Sequence, residues 1–167
     1  MLTKILASLC LLLFVGSAHA WETKWPEAYG EAYAEDAAIE VTVSEAETAY
    51  EIASGLSSGV LKRVTFGDSH NLTVAMAGYY MCFYTVCMDT NGTDEIETAV
   101  MIDGVAQGKG TGHTTISAAA KAVELAGMLF ASLTVGQEVS LAVRNISSTN
   151  NITVEHVNLI IFRIGGL

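Results

Sequence analysis

The groups in this chain that could do chemistry are few and scattered. Gly67-Asp68-Ser69 has the form of a serine nucleophile held on a turn. Such a serine needs a histidine base oriented by a carboxylate. The only late candidates, Glu155 and His156, are adjacent, and a strand would point them to opposite faces. A turn whose Asp and Ser bond the backbone accounts for the triplet. Gly108-Lys109-Gly110-Thr111-Gly112-His113 has the look of a phosphate cradle, but a P-loop requires GxxxxGK[ST] between a strand and a helix, so this segment reads as a loop. Outside residues 1–20 the histidines are His70, His113 and His156, too dispersed for a ligand set. Asp89, Asn91, Thr93, Asp94 and Glu95 place oxygen ligands two apart, as calcium loops do, without the full EF-hand pattern or its helices. Asp89, Asn91 and Asp94 are therefore calcium candidates, with a polar hairpin turn as the other reading; no other cofactor is indicated. Asn71, Asn91, Asn145 and Asn151 each open an Asn-x-Ser/Thr acceptor triplet, relevant only where the host glycosylates.

The elements that must position these groups are strands. Gly78 to Met88 puts Tyr80, Cys82, Tyr84, Val86 and Met88 on one face and Tyr79, Met81, Phe83 and Cys87 on the other. Val123 to Ile164 carries three apolar runs. In the first, Leu125, Leu129 and Leu133 oppose Met128 and Phe130. In the second, Val139, Leu141 and Val143 alternate with polar or small residues. In the third, Thr153 to Ile164, Val157, Leu159 and Ile161 oppose Ile160, Phe162 and Ile164, with His156 expected as a packed interior or interface histidine. Shorter strands are expected at Ile39–Val43, Val60–Phe66, Leu72–Ala75, Glu95–Ile102 and from Thr114 to Ala120. Asp103-Gly104 is a hairpin signal. Trp21, Trp25, Tyr29 and Tyr33 recur every four residues, which suits a helix, yet Ala28–Glu35 reads better as a first strand because Ile39–Val43 follows in β composition and no cap is evident. Eight to ten strands, frequent turns and one proline give an all-β antiparallel sandwich or barrel.

The chain opens with a secretory pattern: Lys4, an apolar run from Ile5 to Val15, and Ala18-His19-Ala20 as the cleavage site. That run is too short for a transmembrane helix. The expected organisation is a signal peptide at 1–20, an N-terminal arm at 21–27 and one domain at 28–167. Without residues 1–20, eighteen acids face seven Lys and Arg, a net charge of −11. This argues against nucleic acid and against anionic membrane surfaces as partners. Cys82 and Cys87 are five apart, an odd spacing that favours two semi-buried thiols; an intrachain bridge would need a bulge, and an intermolecular link is the third reading.

Val64-Thr-Phe-Gly-Asp with Asn71-Leu-Thr-Val, then Ala77-Gly-Tyr-Tyr-Met, Ile102-Asp-Gly-Val, Leu133-Thr-Val-Gly-Gln-Glu-Val-Ser-Leu and Val157-Asn-Leu-Ile-Ile occur in that order. The set resembles the trimeric jelly-roll superfamily of tumour necrosis factor and the complement globular head. It looks most like the bacteriophage and bacterial fibre and surface versions, although virion proteins of that kind normally lack a secretion signal. The resemblance spans Ala28 to Ile164 and implies a homotrimer of jelly-roll β-sandwiches. The residues argue the same way, because strands apolar on both faces need cover on both. The expected trimer contacts are Tyr79, Met81, Phe83, Ile160 and Phe162.

The expected function is that of an exported, non-enzymatic surface or virion-fibre module. It would bind a glycan or protein through loops at one end of the sandwich: Gly67–Asn71, Asp89–Glu95, Gly108–His113 and Asn145–Asn151. The rival is a jelly-roll enzyme or carbohydrate-active domain with a concave-face site, which would need clustered carboxylates or a metal triad.

Overall fold

The computed structural model describes residues 26–117 and 122–167; the signal segment, Trp21, Trp25 and the end of the Thr114–Ala120 run lie outside them. All regular structure among the described residues is β. The strands are β1 (Tyr29–Ala34), β2 (Ile39–Val41), β3 (Tyr50–Glu51), β4 (Ser57–Lys62), β5 (Val64–Phe66), β6 (Leu72–Val74), β7 (Gly78–Thr90), β8 (Asp94–Ile102), β9 (Val105–Ala106), β10 (Gly112–Ile116), β11 (Val123–Leu133), β12 (Glu138–Asn145) and β13 (Ile152–Gly165). One sheet runs β11-β7-β13-β1-β4, with β2 beside β13. The other runs β10-β8-β12-β6-β5, with β3 beside β12 and β9 beside β8. From β6 onward the chain repeatedly passes from one sheet to the other, and every pairing is antiparallel. This is a jelly-roll sandwich, as the strand spacing implied.

The core lies between the sheets. The even-numbered residues of β7, Tyr80, Cys82, Tyr84, Val86 and Met88, point into it and are fully buried against Leu141, Val143, Leu159 and Ile161. In β13 the inward face changes partway. Ile152 and Val154 are buried, then Val157, Leu159 and Ile161, because Glu155 is an extra residue opposite the Met88–Cys87 step of β7. That bulge resets which side chains face inward.

Two departures from expectation are local. Val60–Phe66 is not one strand. Arg63, with φ of 53°, turns the corner between β4 at the edge of the first sheet and β5 in the second. His156 is not interior: it follows the bulge, is exposed, and its Nε2 lies 3.7 Å from Asp36 Oδ1. The Asp103-Gly104 hairpin forms as expected between β8 and β9, both residues at positive φ.

Candidate functional site: the outer face of the β7 sheet

The outer faces of the two sheets differ in kind. On the β8–β12 sheet, Ala99, Met101, Ser140 and Ala142 face outward yet are buried. The chain covers this face itself: Gln107 N–H donates to Val100 O, β3 pairs with β12, and Ala49, Ala99, Ala106 and Ala142 enclose a hollow of about 80 Å³. Small residues allow that close return.

The outer face of the β7 sheet has large side chains and no such cover among the described residues. The register sets Phe130, Met81, Phe162, Tyr29 and Lys62 in one row across β11, β7, β13, β1 and β4. The next row is Met128, Phe83, Ile160 and Glu31. Tyr79 extends the patch opposite Ser132 and Gly165. Tyr79 is 51% exposed, Phe83 42%, Met128 46% and Phe130 59%. Met81, Ile160 and Phe162 are half-buried among them. All five expected contact residues thus share one face, and Met128, Phe130 and Tyr29 join them. The alternation of β11 and of Tyr29-Glu31-Tyr33 carried the signal for these three. A groove of about 620 Å³ opens along β13, β1 and β4, lined by Pro26, Tyr29, Val60, Lys62, Ile160 and Phe162. Lys62 Nζ stands 5.8 Å from the Tyr29 ring centroid, within cation–π range.

Toward Cys87 the same face becomes polar. A second hollow, about 520 Å³, is lined by Glu31, Tyr33, Glu35, His156 and Asn158. Asn158 donates to Glu31 Oε1, while its own Oδ1 is buried without a partner. Cys87 sits on this face, half-buried, and its thiol is pushed up by burial and then by the charges of Glu155 and Glu124. Cys82 points the other way into the core, where burial pushes its thiol up to about 12. Both cysteines are free, which removes the bridge.

The four loops expected to carry recognition do not gather at one end. Asp89–Glu95 and Asn145–Asn151 do join: Asp94 accepts hydrogen bonds from Ser148 Oγ at 2.5 Å and Asn150 Nδ2 at 3.1 Å, and Ser147 Oγ accepts from Glu95 N–H. The Glu45–Glu47 turn adds to this end through Glu47 N–H on Asn145 O. Gly67–Asn71 instead lies along the flank of the second sheet, since β6 pairs with the opposite end of β12. Gly108–His113 closes the open edge between the sheets. Tyr84 Oη contacts Gly110 O and Thr98 O at 3.0 Å and accepts from Gly112 N–H at 2.9 Å. The loop packs so closely that a Cβ at Gly110 would sit 2.0 Å from Met128 O. Loop order in the sequence could not reveal this, because the anchor is a buried phenol in another strand.

The remaining candidate groups have structural partners. Asp94 is buried; burial opposes its charge, but hydrogen bonds from Ser148, Asn150, Asn145 and Thr90 outweigh it and hold the carboxyl below its usual value. Asp89 Oδ1 accepts from Thr90 N–H, and Asn91 is exposed. Among the described residues no set of three His, Cys, Asp or Glu side chains is placed to hold a metal. Ser69 lies on the β5–β6 turn in one sheet and His156 on the outer face of the other. His70 Nδ1 bonds Leu56 O, and His113 pairs with Glu95 at 2.8 Å. Of the acceptor asparagines, Asn71 is buried with its amide on Glu138, and Asn145 is fully buried with its amide on Ser148 and Asn150. Asn151 links Glu40 to Val43 N–H.

No family model matches the chain, and no curated protein does. Solved structures do. The Eiger TNF of S. frugiperda aligns with a TM-score of 0.61 at 12% identity, over 86% of this chain and 96% of that one. The globular domain of zebrafish complement 1qA aligns at 0.55 and 10% identity, over 84% and 99%. Murine APRIL aligns at 0.52 and 10% identity, over 81% and 99%. The fold is the tumour necrosis factor-type jelly roll. In this jelly roll the exposed aromatic face belongs to the sheet formed by β11, β7, β13, β1 and β4. No helix among the described residues is long and apolar enough to cross a membrane.

Proposed function

We propose that the chain is an exported, non-enzymatic recognition module that works as a homotrimer, with the outer face of the β7 sheet as its subunit contact. The observation that carries this reading is the set of exposed Tyr79, Phe83, Met128 and Phe130 on one face, while the chain's own segments cover the equivalent face of the other sheet. Apolar patches of this kind mark contact surfaces, and their aromatic content suits a permanent interface. A ring of three uses the same two surfaces on every copy and closes without leaving either free. The fold shared with the TNF and complement heads supports this architecture by analogy alone.

Assembly on that face would leave the Asp89–Glu95 and Asn145–Asn151 loops free to meet a glycan or protein ligand. The leader pattern and the strand texts of the sequence favour a surface or fibre setting, bacterial or viral. Sedimentation of the exported chain tests the assembly: one 147-residue species at all concentrations rejects it, a threefold mass supports it. Glycan and cell-surface binding by the same sample, with the Asn150→Asp loop variant as comparison, tests recognition.

A further inference from the structure

We propose that Asn91, in the crossover from β7 to β8, is a self-modification site: its side-chain amide converts to a carboxylate through a cyclic imide formed with Gly92. The inference goes beyond the recognition reading and does not need it. Asn91-Gly92 is the one Asn-Gly pair in the sequence. Residues 91–93 join strands that belong to different sheets, so no ladder holds them. Asn91 is exposed, and among the described residues no hydrogen bond reaches its amide or the Gly92 N–H. The bond on Gly92 is at its carbonyl, which accepts from Thr90 Oγ1 at 3.2 Å. Glycine has no side chain to shield its N–H, and its backbone can take the conformation that ring closure requires.

The other asparagines are held. Asn71 donates to Glu138 at 2.7 Å, Asn145 to Ser148 and Asn150, Asn150 to Asp94, Asn151 to Glu40 and Asn158 to Glu31. Each is followed by a residue with a side chain. Asp103-Gly104 could close the same ring, but both Asp103 oxygens accept hydrogen bonds, from Glu138 N–H and Gln137 Nε2. At Asn91 the Gly92 nitrogen loses its proton and attacks Cγ. The Cγ–Nδ2 bond breaks, and Nδ2 leaves as ammonia with that proton. Water then opens the ring, at Cγ to give aspartate or at the backbone carbonyl to give isoaspartate, whose main chain is longer by a methylene. The new charge falls beside a buried carboxylate, since a Cβ at Gly92 would sit 3.3 Å from Asp94 Oδ2 and 2.6 Å from Asn150 Nδ2. Ser148 and Asn150 bond Asp94 there and tie the two loops together. Modification loosens that tie irreversibly as the protein ages. These loops are the ones assigned to recognition, and only that consequence rests on the proposed function.

The test follows the folded chain, made in a host that does not glycosylate, through incubation at neutral and mildly alkaline pH. Peptide mapping by mass spectrometry with electron-transfer fragmentation separates aspartate from isoaspartate. The amide-to-acid mass gain is expected at Asn91 alone, as both products, at a rate rising in proportion to hydroxide. Asn91→Gln, whose larger ring closes far more slowly, should stay unmodified. The converted parent should melt at a lower temperature than fresh protein at neutral pH, while incubated Asn91→Gln should melt as before. An unchanged Asn91 over a period that converts the free Asp89–Glu95 peptide overturns the proposal, as does equal conversion of the other asparagines. Melting unchanged after conversion overturns the link to Asp94. None of these readouts uses a ligand or the subunit mass, so the proposed function can fail without them and they without it.

Discussion

Phe83→Asp is the sharpest perturbation of the proposed assembly. Phe83 lies centrally in the outer face, between Met128 and Ile160 in register, and is 42% exposed in the single subunit. A phenylalanine buries about 200 Å², so roughly 80 Å² remains to be covered by a neighbour. At about 25 cal/mol/Å² this is about 2 kcal/mol per copy, or about 6 kcal/mol for three. Lost alone, that raises the trimer dissociation constant by about four orders of magnitude. A carboxylate trapped in the contact adds several kcal/mol more per copy. The subunit itself should lose only about 1 kcal/mol, the span of strand propensity at an exposed site. Sedimentation velocity over a concentration series reads the result: monomer for Phe83→Asp, trimer for the parent chain. Val105→Asp, at a more exposed position in β9 beside the other sheet, is the control and should remain assembled. Equal masses for Phe83→Asp and the parent would refute the reasoning.

Three further outcomes are expected. Tyr84→Phe should destabilise the domain by about 1–3 kcal/mol in denaturant melts, because the buried Gly112 N–H loses its acceptor, and amide exchange should rise first in Gly108–His113. Asp94, held below its usual value, contributes stability that is present above the ordinary carboxylate range and is lost as pH falls through the depressed value. Thermal melts from neutral to acid should show that loss, and Asp94→Asn should melt lower at neutral pH with a flatter acid limb. Thiol titration of the native protein should find Cys87 slow at neutral pH and faster as pH rises, with Cys82 silent until unfolding.

The sandwich was legible because β7 announces itself. Its alternation over Gly78–Met88 fixes the two faces, and the exposed residues on the outer side are those the pattern assigned there. The alternation of β12 misled in the opposite sense: it reads as a strand buried on one face only, yet Ser140 and Ala142 on the other face are enclosed because short segments far away in sequence fold over them. Chain separation hides such cover, and only residue size hints at it. The split at Arg63 was not readable, since a non-glycine at positive φ leaves no mark in composition. The bulge at Glu155 was readable in principle. Apolar residues fall at 152 and 154, then at 157, 159 and 161, and a strand cannot bury both sets without one extra residue. The candidate loops failed to converge for a different reason: a jelly roll assigns successive turns to different ends and flanks according to its crossovers, which local sequence does not record.

That single inserted residue decides where the C-terminal strand can lose a residue and keep its buried face. An in-frame deletion of Glu155 would only remove the bulge and leave Ile152, Val154, Val157, Leu159 and Ile161 in unbroken alternation on the inner face. Deletion of Asn158 would instead join two halves whose buried sides disagree: Leu159 and Ile161 would swing to the solvent while Ile160 and Phe162 turned inward, and the aromatic surface on which the proposed assembly depends would vanish with the core. Loss of the Thr149 codon, a few positions upstream, would shorten a connection and leave both halves in step. Among natural variants, single-residue deletions should therefore be tolerated before Ile152 and at Glu155, and excluded between Val157 and Ile161.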